Sequence, residues 1–207
     1  MSFQGCSLLP TSERRKEARI LVQEVYTNYR SGTPRLNSLN IVTRLNVLDA
    51  FACNAIILGF TIEGLCRDEL ISPFNQHGPS LLPWEGPGAV LLDSCPVTLR
   101  PTQTQKDIIH HPWIDLLPIP RLRDNVLLAM NAGLLDDDEL CADLLSVREA
   151  RGDGAQLLVW GGSWDIRGWE ANLSFLRKWG WLMRGCPELC QATNEWRGRR
   201  GEKKLRF

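Results

Sequence analysis

No apolar run in this 207-residue chain approaches the ~20 residues that a bilayer-spanning helix needs, which argues against a membrane protein. Net charge is missing too. The 24 Lys and Arg balance the 24 Asp and Glu, so no global field draws the chain to nucleic acid or an acidic membrane. The seven cysteines contain no CxxC pair. Cys186 and Cys190 lie one helical turn apart, with no second ligand pair to complete a zinc site. The N-terminus lacks the charged-then-apolar pattern of a secretion signal. Reduced thiols and a cytoplasmic or nuclear location are expected. A phosphate-cradling loop is also lacking, because Gly152-Asp153-Gly154 and Gly161-Gly162 have neither the spacing nor the strand-helix context. There is no HExxH, GxSxG or DDxxD pattern. Neither a nucleotide nor a metal cofactor is expected.

The patterning that is present reads as mainly α: a single-domain irregular helical bundle with a long Pro-rich loop and at most a minor strand pair. Ala18, Leu21, Val22, Val25, Tyr26 and Tyr29 predict a helix capped by Thr11 or Ser12. A second helix over 36–58 ends at Gly59, and its later half is apolar nearly all round, as for a buried helix. Thr61 caps a short helix to about Leu70. Six prolines and three glycines over 71–105 predict a surface excursion. Pro120 starts a helix that ends near Gly133, and Asp136, Asp137 and Asp138 suit the start of the next through the helix dipole. Leu157 to Trp160 is strand-like. One helix is predicted over 166–184 and another from Pro187 to about Trp196. The organisation is thus a helical arm at 1–35, a helical domain at 36–196 and a basic tail at 197–207. That tail is either a frayed solvated end or a nucleic-acid or localisation patch. Cys53, Cys66 and Cys141 sit on apolar faces and read as core residues.

The most distinctive stretch is HHPWIDLLPIPRLRDN, His110 to Asn125. Its three prolines predict a stiff extended ribbon. With DDDELCADLL, LLVWGGSWDIRGWE, FLRKWGWLMRGCPEL and ATNEWR, it resembles a fungal domain family of unassigned function that commonly follows the basic-leucine-zipper region of transcription-factor-like proteins. The resemblance covers roughly residues 36 to 201. It implies a helical domain of filamentous fungi, often encoded near secondary-metabolite pathways, and supplies no catalytic residues. Residues 12–30 carry Arg14, Arg15, Lys16, Arg19 and Arg30, but no DNA-reading face and no leucine heptad follows. Sequence-specific DNA binding is not expected.

Three constellations carry polar chemistry. His110 and His111 point to opposite sides of a ribbon, so one of them can face a pocket and exchange protons, oriented by Asp115; the same groups can simply satisfy the ribbon's backbone while Trp113 plugs the core. Trp160, Trp164, Asp165, Trp169 and Glu170 can line a site that stabilises developing positive charge, or form the bundle core, with Trp179 and Trp181. Arg121, Arg123 and Asp124 form the third; Arg123 can hold an anionic substrate group or pair with a buried acid such as Asp165.

Two functions fit. The first is a cofactor-free acid/base catalyst, a cyclase, isomerase or dehydratase acting on an apolar small molecule in secondary metabolism. His110, His111, Asp115 and Asp165 would move protons, and Trp113, Trp164 and Arg123 would bind substrate. The second is a non-enzymatic regulatory or interaction module that binds a ligand or a transcription factor. A homodimer is compatible with either.

Overall fold

The computed structural model describes residues 36–60, 69–77, 95–145 and 156–207. The predicted helix at 11–29 and residues 61–68 of the segment capped by Thr61, with Cys66, lie outside them. Among the described residues the fold is mainly α. Helix α1 spans Leu36–Leu58, α2 Gln103–Asp107, α3 Pro120–Asn131, α4 Asp137–Leu145, α5 Leu173–Trp179 and α6 Pro187–Arg199. One antiparallel pair, β1 Leu157–Val159 with β2 Trp169–Ala171, sets Leu157 opposite Ala171 and Val159 opposite Trp169. α1 packs on β1 and α6 on β2, so the two-stranded sheet is held between helices. Phe51, Trp113, Trp169 and Trp179 are all buried, and the Phe51 and Trp169 rings meet with centroids 6.2 Å apart.

The expected helix ends are found. Gly59 and Gly133 take the left-handed conformation that closes α1 and α3, and α3 begins on Pro120. α4 opens on the acidic triplet, where the Asp136 carboxylate accepts from the Asp138 N–H.

Several local expectations are corrected. The ribbon is not extended throughout. Pro112–Leu116 is a 3-10 turn, because proline fits the first helical position and the His111 ring accepts from the Trp113 N–H as a cap. The helix expected over 166–184 is broken. Asp165 caps a 3-10 turn over Ile166–Gly168, and β2 is captured by β1 on one side and the Thr193 hydroxyl on the other. Asn172 then starts α5 afresh, and a 3-10 turn, Gly180–Met183, follows. Cross-strand pairing thus overrides helical periodicity here. Trp181 is exposed rather than core, Cys53 is exposed on α1, and Cys141 is half-buried. The described parts of the 71–105 stretch also run inward: Ser72, Phe74, Asn75, Leu99 and Gln105 are buried.

The basic tail is docked. Asn194 donates to the Leu205 carbonyl and accepts from the Leu205 N–H, Arg197 pairs with Glu202 at 2.8 Å, and Arg200 reaches back to Glu170. Each contact returns the chain onto α6 or β2.

The turn between β1 and the Ile166–Gly168 segment is pinched shut on two glycines. A Cβ on Gly168 would lie 3.0 Å from the Gly161 Cα and 3.1 Å from its nitrogen. Gly168→Ala is therefore expected to lower unfolding free energy by about 1–3 kcal/mol, the usual cost of overpacking. Gly198→Ala meets nothing within 4 Å inside α6 and should instead stabilise, by roughly 0.5–1 kcal/mol. Urea titration of the two variants measures both.

Candidate functional site

Two places concentrate polar chemistry: a closed knot around Asp115, and a cleft between α1 and the Gly161-Gly162 turn.

The knot begins with local signals. Thr102 and Gln105 form a reciprocal capping box that starts α2 and swings the Gln105 side chain inward. The Pro112 turn does the same for Asp115. The Asp115 carboxylate, fully buried, then accepts from the Ser72 hydroxyl, the Gln105 amide and His110 Nε2, the last at 2.8 Å. The other His110 nitrogen lies 2.7 Å from the Ile108 carbonyl. Both ring nitrogens therefore face acceptors, and only the imidazolium can donate to both. Burial alone would lower the His110 pKa. The hydrogen bond and charge of Asp115 and the Ile108 carbonyl outweigh it, so the pKa is raised above 6.5.

Arg123 closes the knot. It is wholly buried, and its guanidinium donates to the Gln105 side-chain carbonyl at 2.9 Å and to the backbone carbonyls of Thr98, Leu117 and Arg100. Burial lowers its pKa to about 10, still protonated at neutral pH. Gln105 thus bridges the two charges, one end on Arg123 and the other on Asp115.

The cleft has a volume of about 380 Å³. One wall is α1, with Asn46, Asp49 and Cys53 on successive turns; the other is Val159, Trp160 and the Gly161-Gly162-Ser163 turn. The walls are tied together. The Asn46 amide donates to the Val159 carbonyl, and the buried Asn54 amide donates to both Ser163 and Leu116, linking the cleft to the Pro112 turn. Burial raises the Asp49 pKa, and burial with the Asp49 charge raises that of the Cys53 thiol. Trp160 is held from behind: its indole N–H donates to buried Glu170, its ring stacks on Trp196 at 5.6 Å, and Arg200 clamps the same carboxylate.

The expected site residues divide accordingly. His110, Asp115 and Arg123 come together in the knot, beneath buried Trp113, with His111 half-buried at the edge as a turn cap. Asp165 and Trp164 stand apart from them. Asp165 pairs with exposed Arg167 at 2.7 Å, which lowers its pKa, and not with Arg123. The Trp164 ring is exposed, and its carbonyl accepts from Thr98. Neither Trp113 nor Trp164 lines the cleft; Trp160 does. Sequence reasoning missed Ser72, Gln105, Asn46, Asp49 and Cys53. The Thr102-x-x-Gln105 box was a readable signal, as was the spacing of Asn46, Asp49 and Cys53 along one side of the helix.

A family model described as a domain of unknown function, DUF3425, matches residues 84–189, about half of the chain. The chain belongs to this family. The DUF3425 match contains His110, Asp115, Gln105, Arg123 and the Trp160 wall of the cleft; the α1 wall precedes it. No curated protein and no solved structure matches the chain. Among the described residues no helix is long and apolar enough to cross a membrane.

The knot makes two stability predictions. Asp115→Asn should cost about 3–5 kcal/mol, the usual loss when one partner of a buried ion pair is removed. Because the His110 pKa is raised in the folded state, its pairing supports the fold fully below about pH 6.5 and is lost as pH rises through the native value. Denaturant midpoints taken across pH 5.5–9 should therefore fall with pH in the parent protein and be flatter in His110→Gln.

Proposed function

We propose that this domain binds an apolar small molecule in the cleft between α1 and the Gly-Gly turn, as part of fungal secondary metabolism. One observation carries the reading: a preformed cleft of about 380 Å³ with an aromatic wall and a few convergent polar groups, within the size range of small-molecule sites. The knot supports it by exclusion. His110, Asp115 and Arg123 are closed to solvent, and their polar groups are taken by Ser72, Gln105, the His110–Asp115 pair and backbone carbonyls, which favours a structural role for them.

Where the domain is a catalyst, the chemistry is cofactor-free proton transfer of the isomerase, cyclase or dehydratase kind, with Asp49 as the group that takes and returns the proton. Its pKa is raised toward the working range by burial, which favours that role.

A panel of aromatic and terpenoid fragments, screened by NMR against the full chain, tests the site. Bound fragments should perturb the resonances of Asn46, Cys53 and Gly162, and Cys53→Trp, which fills the cleft from an exposed position, should weaken them by ~10-fold or more, on the scale of a lost buried contact. Fragments that bind only elsewhere would overturn the proposal. Loss of turnover by ~100-fold in Asp49→Asn would mark acid/base catalysis. Binding without turnover would mark the regulatory module.

A further inference from the structure

We infer that the cleft selects an organic cation: a protonated amine on an apolar or aromatic skeleton, with Asp49 as its counter-ion and Trp160 as the wall against which the skeleton packs. The inference rests on the cleft being the ligand site proposed above.

The charge inventory leads to this class. Asp49 and Cys53 are the ionisable side chains that line the cleft, and both are acids. Burial and its carboxylate neighbour raise the thiol's pKa, so among the described side chains of the cleft Asp49 is the one that carries a negative charge. None of the ion pairs among the described residues uses Asp49. The cation that does approach Trp160 is Arg200, 5.6 Å from the ring centroid. It is spent on Glu170 and Glu202, so it cannot neutralise the cleft or serve an anionic ligand.

The polar remainder fits the same class. The Asn46 amide nitrogen is used on Val159, and its side-chain oxygen is buried with no partner among the described residues. The Ser163 carbonyl already accepts from Asn54 and from the Trp169 indole. Asp49 is thus the charged acceptor that an entering molecule meets in the cleft. An anion would find repulsion from that carboxylate. An ammonium would find a half-buried carboxylate, where attraction is stronger than in bulk solvent. The half-exposed indole, fixed from behind by Glu170 and Trp196, supplies rigid apolar area for the carbon skeleton.

Three indole probes of near-equal shape separate the possibilities: tryptamine (cationic), tryptophol (neutral) and indole-3-acetate (anionic). Each is titrated into the full chain by NMR, with the Trp160 indole signal assigned through Trp160→Phe. Tryptamine should bind at least ~10-fold tighter than tryptophol, the scale of a charge-assisted hydrogen bond, and indole-3-acetate weakest. Asp49→Asn should erase the difference by weakening tryptamine most, and Asp49→Glu should keep it. Should Asp49→Asn fail to fold, Cys53→Lys places a competing cation at an exposed position and should abolish the tryptamine preference alone. Equal binding of the three probes in the cleft, or a preference for the anion, overturns the cation assignment and leaves the ligand site standing. Absence of any cleft response to all three probes and to the fragment panel overturns both.

Discussion

The carboxylate of Asp115 is the point on which the described structure turns. A buried anion costs several kcal/mol unless its lone pairs are met, and here three donors from three separate segments meet them. Ser72 comes from the start of the Pro-rich stretch, Gln105 from α2 and His110 from the start of the ribbon. Each is drawn inward because the alternative is an unsatisfied charge. Arg123 extends the same demand to Thr98, Arg100 and Leu117. Segments with little regular structure of their own are thereby fixed by hydrogen bonds to two ions rather than by periodic apolar faces.

That fixing reaches the cleft through one residue. Asn54 is buried in α1 and donates to Leu116, on the turn that carries Asp115, and to Ser163, on the cleft wall. A second buried carboxylate works from the opposite side. Glu170 takes the Trp160 indole N–H and the Arg200 guanidinium, so the docked C-terminal segment decides where Trp160 sits. The two carboxylates, Asp115 and Glu170, brace the cleft from either flank, and neither lines it.

How much of this could be read from sequence depends on whether a signal was local. Helix ends at Gly59, Gly133 and Pro120 were legible because capping and proline geometry act over a few residues. So were the mainly helical class, the short strand at Leu157 and the burial of Trp113 and Trp169. The break at 169–171 was not, because the pairing of Trp169 with Val159 and the Thr193 hydroxyl on Ala171 are contacts between segments distant in sequence. His110, Asp115 and Arg123 stood out as unusual, and they do meet. Their partners Ser72 and Gln105 lie up to 43 positions from Asp115 and carry no joint pattern. The polar stripe on α1 was visible as spacing, but a wide apolar face drew attention away from it.

The contact between Gly161 and Gly168 has a consequence for how such a domain can diversify. One jaw of the cleft is a turn locked by two glycines whose backbones approach closely, with Trp160 as its large side chain. It is a fixed anvil, with Trp160 the side chain on it whose exchange would change the cleft most. The other jaw is a helix face, where Asp49 and the exposed Cys53 offer side chains to exchange while Asn46 stays tied to Val159. Retuning the cleft to a different molecule then needs single codons on one helix and no change to the turn opposite. A binding function built this way can drift in what it recognises while its architecture stands still.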